Sequence, residues 1–61
     1  STRDRETLAC TLEGLSEKQT ADRLGLSIHT VHQYMKRLYR SFGVHTRSEL
    51  MARFVARDAV G

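Results

Sequence analysis

Proline is absent from the chain, cysteine occurs once, and no apolar stretch approaches the length of a membrane span or a signal peptide. Each absence excludes something. Without proline, nothing removes a backbone donor from a helix interior. A single thiol, Cys10, cannot close an intramolecular disulfide, and without a long apolar run the chain reads as soluble and cytoplasmic. Internal repeats, low-complexity tracts and a Gly-rich phosphate loop are missing as well. The remaining composition favours helices, because Leu, Ala, Glu, Lys and Arg lose little side-chain freedom there. At 61 residues the chain makes at most one domain, and a domain this short buries only about 60% of its unfolded surface. The expected fold is all-α, one domain over residues 1–61.

Acidic residues are missing from one long segment. From Arg23 to Ser48 there are five Lys or Arg, three His and no acid, whereas the remainder holds five basic residues against seven acidic ones. The net charge of +3 is therefore segregated, as an electrostatic footprint for a polyanion would be.

Local signals mark four helices, expected over about 2–13, 17–24, 28–42 and 47–58. Ser1 stands three residues before Asp4 and can cap the first helix, and Gly14 can close it in the left-handed conformation. Leu8, Leu12 and Leu15 lie on or beside its expected inner face. Ser16 and Gln19 have the capping-box spacing for a second helix that stops at Gly25, with Ala21 and Leu24 inward. Only Leu26 and Ser27 then intervene, with Ser27 the N-cap of the third helix. So tight a Gly-containing turn joins two helices at an angle. Gly43 ends the third helix, and Thr46 with Glu49 forms another capping box for a fourth, whose Leu50 and Phe54 return to the core. Residues Ala59 to Gly61 are expected to fray.

The third helix carries two opposed stripes. Val31, Met35, Leu38 and Phe42 recur at i, i+4, i+7 and i+11, which puts them on one face at about 100° per residue. His29, Gln33, Lys36 and Arg40 repeat that spacing on the other side, flanked by His32 and Arg37. A helix that reads base edges needs such a polar face, backed by an apolar one that sets its orientation. A merely solvated helix face is the alternative.

Residues Ser1 to Leu50 resemble the LuxR-type helix-turn-helix family. Its pattern runs roughly T-P-R-E-R-E-V-L, E-G-L-S-x-K-E-I-A-x-x-L-x-I-S, T-V-K-x-H and K-L-G-V-x-S-R. The corresponding stretches here are S-T-R-D-R-E-T-L, E-G-L-S-E-K-Q-T-A-D-R-L-G-L-S, H-T-V-H-Q-Y and R-S-F-G-V-H-T-R. Four pieces in order, at the right spacing and without a gap, are far more specific than any one of them. The resemblance implies a four-helix module that binds double-stranded DNA as the output domain of a bacterial transcription regulator, with the third helix in the major groove. It also implies a homodimer on paired half-sites through the fourth helix, an N-terminal regulatory domain as in response regulators, and RNA polymerase as a further partner. Thr2 stands where the pattern has Pro, and Thr20 where it has Ile, which predicts a less firmly anchored second helix. His32 replaces the usual Lys and Tyr34 the usual His, so the operator does not transfer.

The resemblance and the periodicity together make His29, His32, Gln33 and Lys36 the candidate base readers. Gln pairs with adenine, Lys donates to guanine, and an imidazole does either according to its tautomer. Lys18, Thr30, Tyr34, Arg37, Arg40 and Arg47 are candidates for phosphate contacts at the groove's edges. Thr30 has an alternative in supporting the helix start, Tyr34 in rimming the core, and Arg37 in pairing with an acid of another helix. Met51 and Val55, to one side of the Leu50 and Phe54 stripe, form a candidate dimer surface or two ordinary exposed apolar residues. His29 and His32 share a spacing used by metal ligands, with His45 or Cys10 as conceivable completions, but no third ligand is placed and no metal or cofactor is expected. Nor does a pocket-forming element accompany the Ser, His and Asp residues, so an enzyme is not expected. Two rival readings are a promoter-reading domain like that of a sigma factor, which shares A-x-x-L-G-x-S-x-x-T-V, and a helical protein-interaction module with a basic face. The E-G-L-S start and F-G-V-H-T-R finish favour the LuxR type.

Overall fold

Four helices follow in order in the computed structural model: α1 (Thr2–Leu12), α2 (Glu17–Leu24), α3 (Ile28–Phe42) and α4 (Arg47–Val60). The structure describes the backbone of residues 2–60 and the side chains of residues 2–55. The capping role proposed for Ser1 lies outside the described residues, as does the conformation of Gly61. No strand occurs among the described residues, and none of their helices is long and apolar enough to cross a membrane. The fold is all-α, of the helix-turn-helix kind.

The helix boundaries follow from the orphan donors and acceptors at each end. At the start of α2, the Ser16 hydroxyl accepts from the Gln19 N–H at 3.1 Å while the Gln19 side chain accepts from the Ser16 N–H at 2.9 Å. Its last turn closes on Gly25 at φ +69°, and the Leu26 N–H donates to Ala21 O at 2.9 Å. After Leu26, Ser27 caps α3 by accepting from the Thr30 N–H at 3.1 Å. Gly43, at φ +66°, ends α3. A side chain at either glycine would be strained by the positive φ even where space is open.

The boundaries differ slightly from expectation at three points. α1 ends at Leu12, one residue early, although the Glu13 N–H still donates to Ala9 O at 3.1 Å. α4 is helical to Val60, two residues past the expected end at 58. The box at its start is also shifted. The Thr46 hydroxyl accepts from the Glu49 N–H as expected, but the Glu49 carboxylate takes the His45 N–H at 3.2 Å and the Thr46 hydroxyl at 3.3 Å. It thereby secures the residue one step further out.

α1, α2 and α3 pack on one another, and α4 joins them mainly through α3. The core is Ala21, Val31, Met35, Leu38, Val44 and Leu50, with Leu8, Leu26, Tyr39, Phe42 and Phe54 packed around it. Phe42 and Phe54 meet edge to face at 5.2 Å between centroids, tying α4 to the end of α3. Burial of the α3 stripe fixes which way its polar face looks.

The inner face of α1 is a correction. Leu8 packs against the core as expected, but Leu12 is exposed, and the residues that α1 buries are Thr7, Cys10 and Thr11. Two threonines can occupy a core because their hydroxyls bond back within the helix. Thr7 donates to Arg3 O at 2.8 Å and Thr11 to Thr7 O at 2.9 Å, which leaves the methyl to pack much as a valine's would. Thr20 on α2 is likewise fully buried. α2 is further held by the Arg3 guanidinium, which donates to Leu24 O at 3.2 Å, and by Arg23 paired with Glu13 at 3.2 Å. A basic group on the last carbonyls also complements the helix dipole.

Candidate functional site

Burying Val31, Met35 and Leu38 turns the opposite side of α3 to solvent, where His29, His32, Gln33, Lys36, Arg37 and Arg40 are all exposed. One apolar stripe thus orients six polar side chains over three turns of one helix. Its first turn is pinned by Ser27, whose hydroxyl lies 2.9 Å from that of Thr30. Thr30 is half-buried and engaged at the helix start.

The acids meeting this face come from elsewhere in the chain, since none lies between Arg23 and Ser48. Asp4 on α1 accepts from the Arg37 Nη2 at 2.9 Å, and the Arg37 guanidinium sits 5.1 Å from the Tyr34 ring centroid. Glu17, the first residue of α2, places both carboxylate oxygens 3.3 Å from the His32 Nδ1. Lys36 and Arg40 make no ion pair among the described residues. The face therefore has a charge gradient. His32 faces the Glu17 carboxylate, Gln33 beside it is a neutral amide, and further along Arg37 is paired with Asp4 while Lys36 and Arg40 are not paired with an acid among the described residues.

Beside these two cations lies an open groove of about 500 Å³ lined by Lys36, Tyr39, Arg40, Gly43, Val44 and His45. Tyr39 and Val44 supply its apolar floor, packed on or within the core. The Tyr39 hydroxyl ionises less readily than an ordinary phenol, through burial first and the Glu17 charge second, with Arg47 opposing both. A neutral hydroxyl beside the Lys36 and Arg40 cations and the His45 ring suits an oxyanion ligand such as a phosphodiester.

Other candidate residues are spread around this face. Lys18 is exposed on α2, next in the chain to Glu17, and Arg47 is half-buried at the start of α4, close enough to Tyr39 to act on its hydroxyl. Tyr34 is half-buried under Arg37. Met51 is half-buried, so the expectation of two exposed apolar residues on α4 holds only for Val55, which is 69% exposed. Cys10 is buried in α1, and no group of three His, Cys, Asp or Glu residues able to hold a metal exists among the described residues.

Sequence reasoning missed Glu17 and His45 as members of this surface. Glu17 is the first residue of α2, and its meeting with His32 depends on how α2 seats against α3. His45 follows the α3 C-cap by two residues, and the short loop it occupies is what folds it back toward Lys36 and Arg40.

The family model of bacterial regulatory proteins, luxR family, matches residues 1–54. The HTH-type transcriptional activator RamA of Corynebacterium glutamicum is 35% identical over 49 residues, covering 80% of this chain and 17% of RamA. The chain therefore spans about a sixth of the length of the curated relative it matches. No solved structure matches it significantly.

Proposed function

The chain belongs to the luxR family of bacterial regulatory proteins, a family of DNA-binding transcription regulation, and from that premise we propose that it reads specific duplex sites with the exposed face of α3. The observation that carries this reading is one exposed face of hydrogen-bonding side chains followed along the helix by cations, set in register by the buried stripe behind it. His29, His32, Gln33 and Lys36 occupy the N-terminal part, which enters a major groove first and meets base edges. Arg40 lies further along, where the helix has reached the phosphate wall. The groove it shares with Lys36, Tyr39 and His45 lies where a strand's backbone would pass.

Lys18, Thr30, Tyr34, Arg37 and Arg47 complete the phosphate contacts from the edges. Arg37 binds Asp4 through one nitrogen and is more than half exposed, which leaves it donors for a phosphate. Two copies on paired half-sites, associated through Val55 and its neighbours on α4, would double the footprint. The same premise supports an output role, under a regulatory domain elsewhere in the full-length protein and with RNA polymerase as the downstream partner.

A salt titration tests the reading. Binding of the chain to random duplex DNA is expected to weaken steeply with salt, log K falling linearly with log salt concentration as phosphate counterions are released. Absence of salt-dependent binding at submillimolar protein would favour a protein partner for the basic face.

A further inference from the structure

The Glu17 carboxylate faces a reading residue across fifteen positions of sequence, and it meets that residue at one defined atom. Both of its oxygens lie 3.3 Å from the His32 Nδ1, between side chains that remain 36% and 50% exposed. A carboxylate only accepts hydrogen bonds, so the hydrogen between them belongs to Nδ1. In a neutral imidazole that placement leaves Nε2 with a lone pair and no hydrogen. The ring then offers its free edge as an acceptor.

From this geometry we infer that Glu17 is a specificity-determining positioning residue, which holds His32 in the tautomer that selects a base presenting an amino group. The inference rests on the reading of α3 given above. In the major groove the amino donors are N6 of adenine and N4 of cytosine, whereas guanine and thymine offer acceptors at the equivalent positions. An Nε2 acceptor complements the first pair and repels the second. Without its carboxylate, His32 would exchange tautomers and rotate, and it would discriminate poorly between donor and acceptor edges. A second-residue hydrogen bond that sets ring orientation is the same device by which metal-binding histidines are held to one tautomer.

A purely structural Glu17, present only to complement the α2 dipole, predicts different results, and two measurements separate them. The first is a long-range nitrogen–proton correlation spectrum of the free chain at pH 8. Wild type is expected to carry the His32 hydrogen on Nδ1, and both Glu17→Gln, whose amide can donate as well as accept, and Glu17→Ala to lose that bias. The second is fluorescence anisotropy on a selected site varied one base pair at a time. Wild type is expected to prefer adenine or cytosine at one position, and Glu17→Gln and Glu17→Ala each to weaken that preference about three- to tenfold, the worth of one hydrogen bond. In a His32→Ala background, Glu17→Ala should change no base preference. Circular dichroism melts of each variant establish that the fold persists. A wild-type His32 protonated on Nε2, or a base preference indifferent to Glu17→Ala, overturns the inference. If His32→Ala leaves every preference unchanged while Gln33→Ala does not, the inference fails and the reading face stands. If neither variant changes a preference, the reading face itself fails.

Discussion

Arg37 reaches from α3 to Asp4 at the start of α1, 33 residues away in sequence, with its Nη2 2.9 Å from a carboxylate oxygen and its guanidinium over the Tyr34 ring. One side chain thus ties the first helix to the helix that carries the reading face. It also lies over the half-buried Tyr34. The pair is asymmetric, with Arg37 57% and Asp4 25% exposed. Solvent screening at the arginine end keeps its worth modest.

Arg37→Ala and Asp4→Asn are each expected to lower stability by no more than about 1 kcal/mol, and the double variant by less than their sum. Urea denaturation of the four proteins measures this coupling. Strictly additive losses would mean that the ion pair contributes nothing of its own.

Gln33 and Arg40 lie on the same face of α3 and should respond differently to truncation. Gln33→Ala is expected to remove about 1 to 3 kcal/mol of discrimination at one base pair while leaving the salt slope nearly unchanged. Arg40→Ala is expected to weaken all duplexes alike and to reduce the slope by about 1. Anisotropy on matched and scrambled duplexes at several salt concentrations distinguishes them. Equal weakening of matched and scrambled sites by Gln33→Ala would require rotating the helix in the groove.

Self-association through α4 is expected to be weak for the isolated chain and to depend on Val55, which is 69% exposed and free to change without disturbing the core. Sedimentation with Val55→Asp is therefore the clean test, because Met51 is half-buried and Met51→Asp would also cost stability. Dimers that persist in Val55→Asp would move the interface elsewhere.

Tyr39 makes alkaline stability informative. Its folded pKa lies above the ordinary 10.0, so below pH 10 the hydroxyl is neutral in both states and its contribution to stability is complete. As pH rises further, the unfolded chain ionises first, and stability is lost through the folded pKa. Tyr39→Phe, which cannot ionise, should show a shallower fall in melting temperature between pH 9 and 11 than the wild type. Parallel curves would mean that the hydroxyl titrates alike in both states.

Much of the fold was legible because helix ends are written over three to five residues. Ser16 with Gln19, Ser27 with Thr30, Gly25 and Gly43 are each complete local devices, and all four act as their spacing predicts. The α3 stripe was equally legible, since a face follows from periodicity alone. α1 was less so. Of its leucines only Leu8 packs on the core, whereas Thr7 and Thr11 are fully inside because their hydroxyls are satisfied within the helix, which offsets most of the cost of burying them. Val44 fills the core from a loop, where no periodicity exists to announce it.

The candidate site divides along the same line. Sequence by itself determined that α3 has a polar face, which residues stand on it, and that no acid lies within its own segment, because these depend only on order and helical pitch. Tertiary structure decided which of those residues acquire partners. That Glu17 meets His32 at Nδ1, that Asp4 meets Arg37, and that His45 closes a groove with Lys36 and Arg40 follow from how α1, α2 and the α3 to α4 loop seat against α3. Periodicity says which way a helix face looks but not what another helix brings to its edge. That is set by the close packing of Ala21, Val31, Met35 and Leu38, which admits one arrangement of the helices.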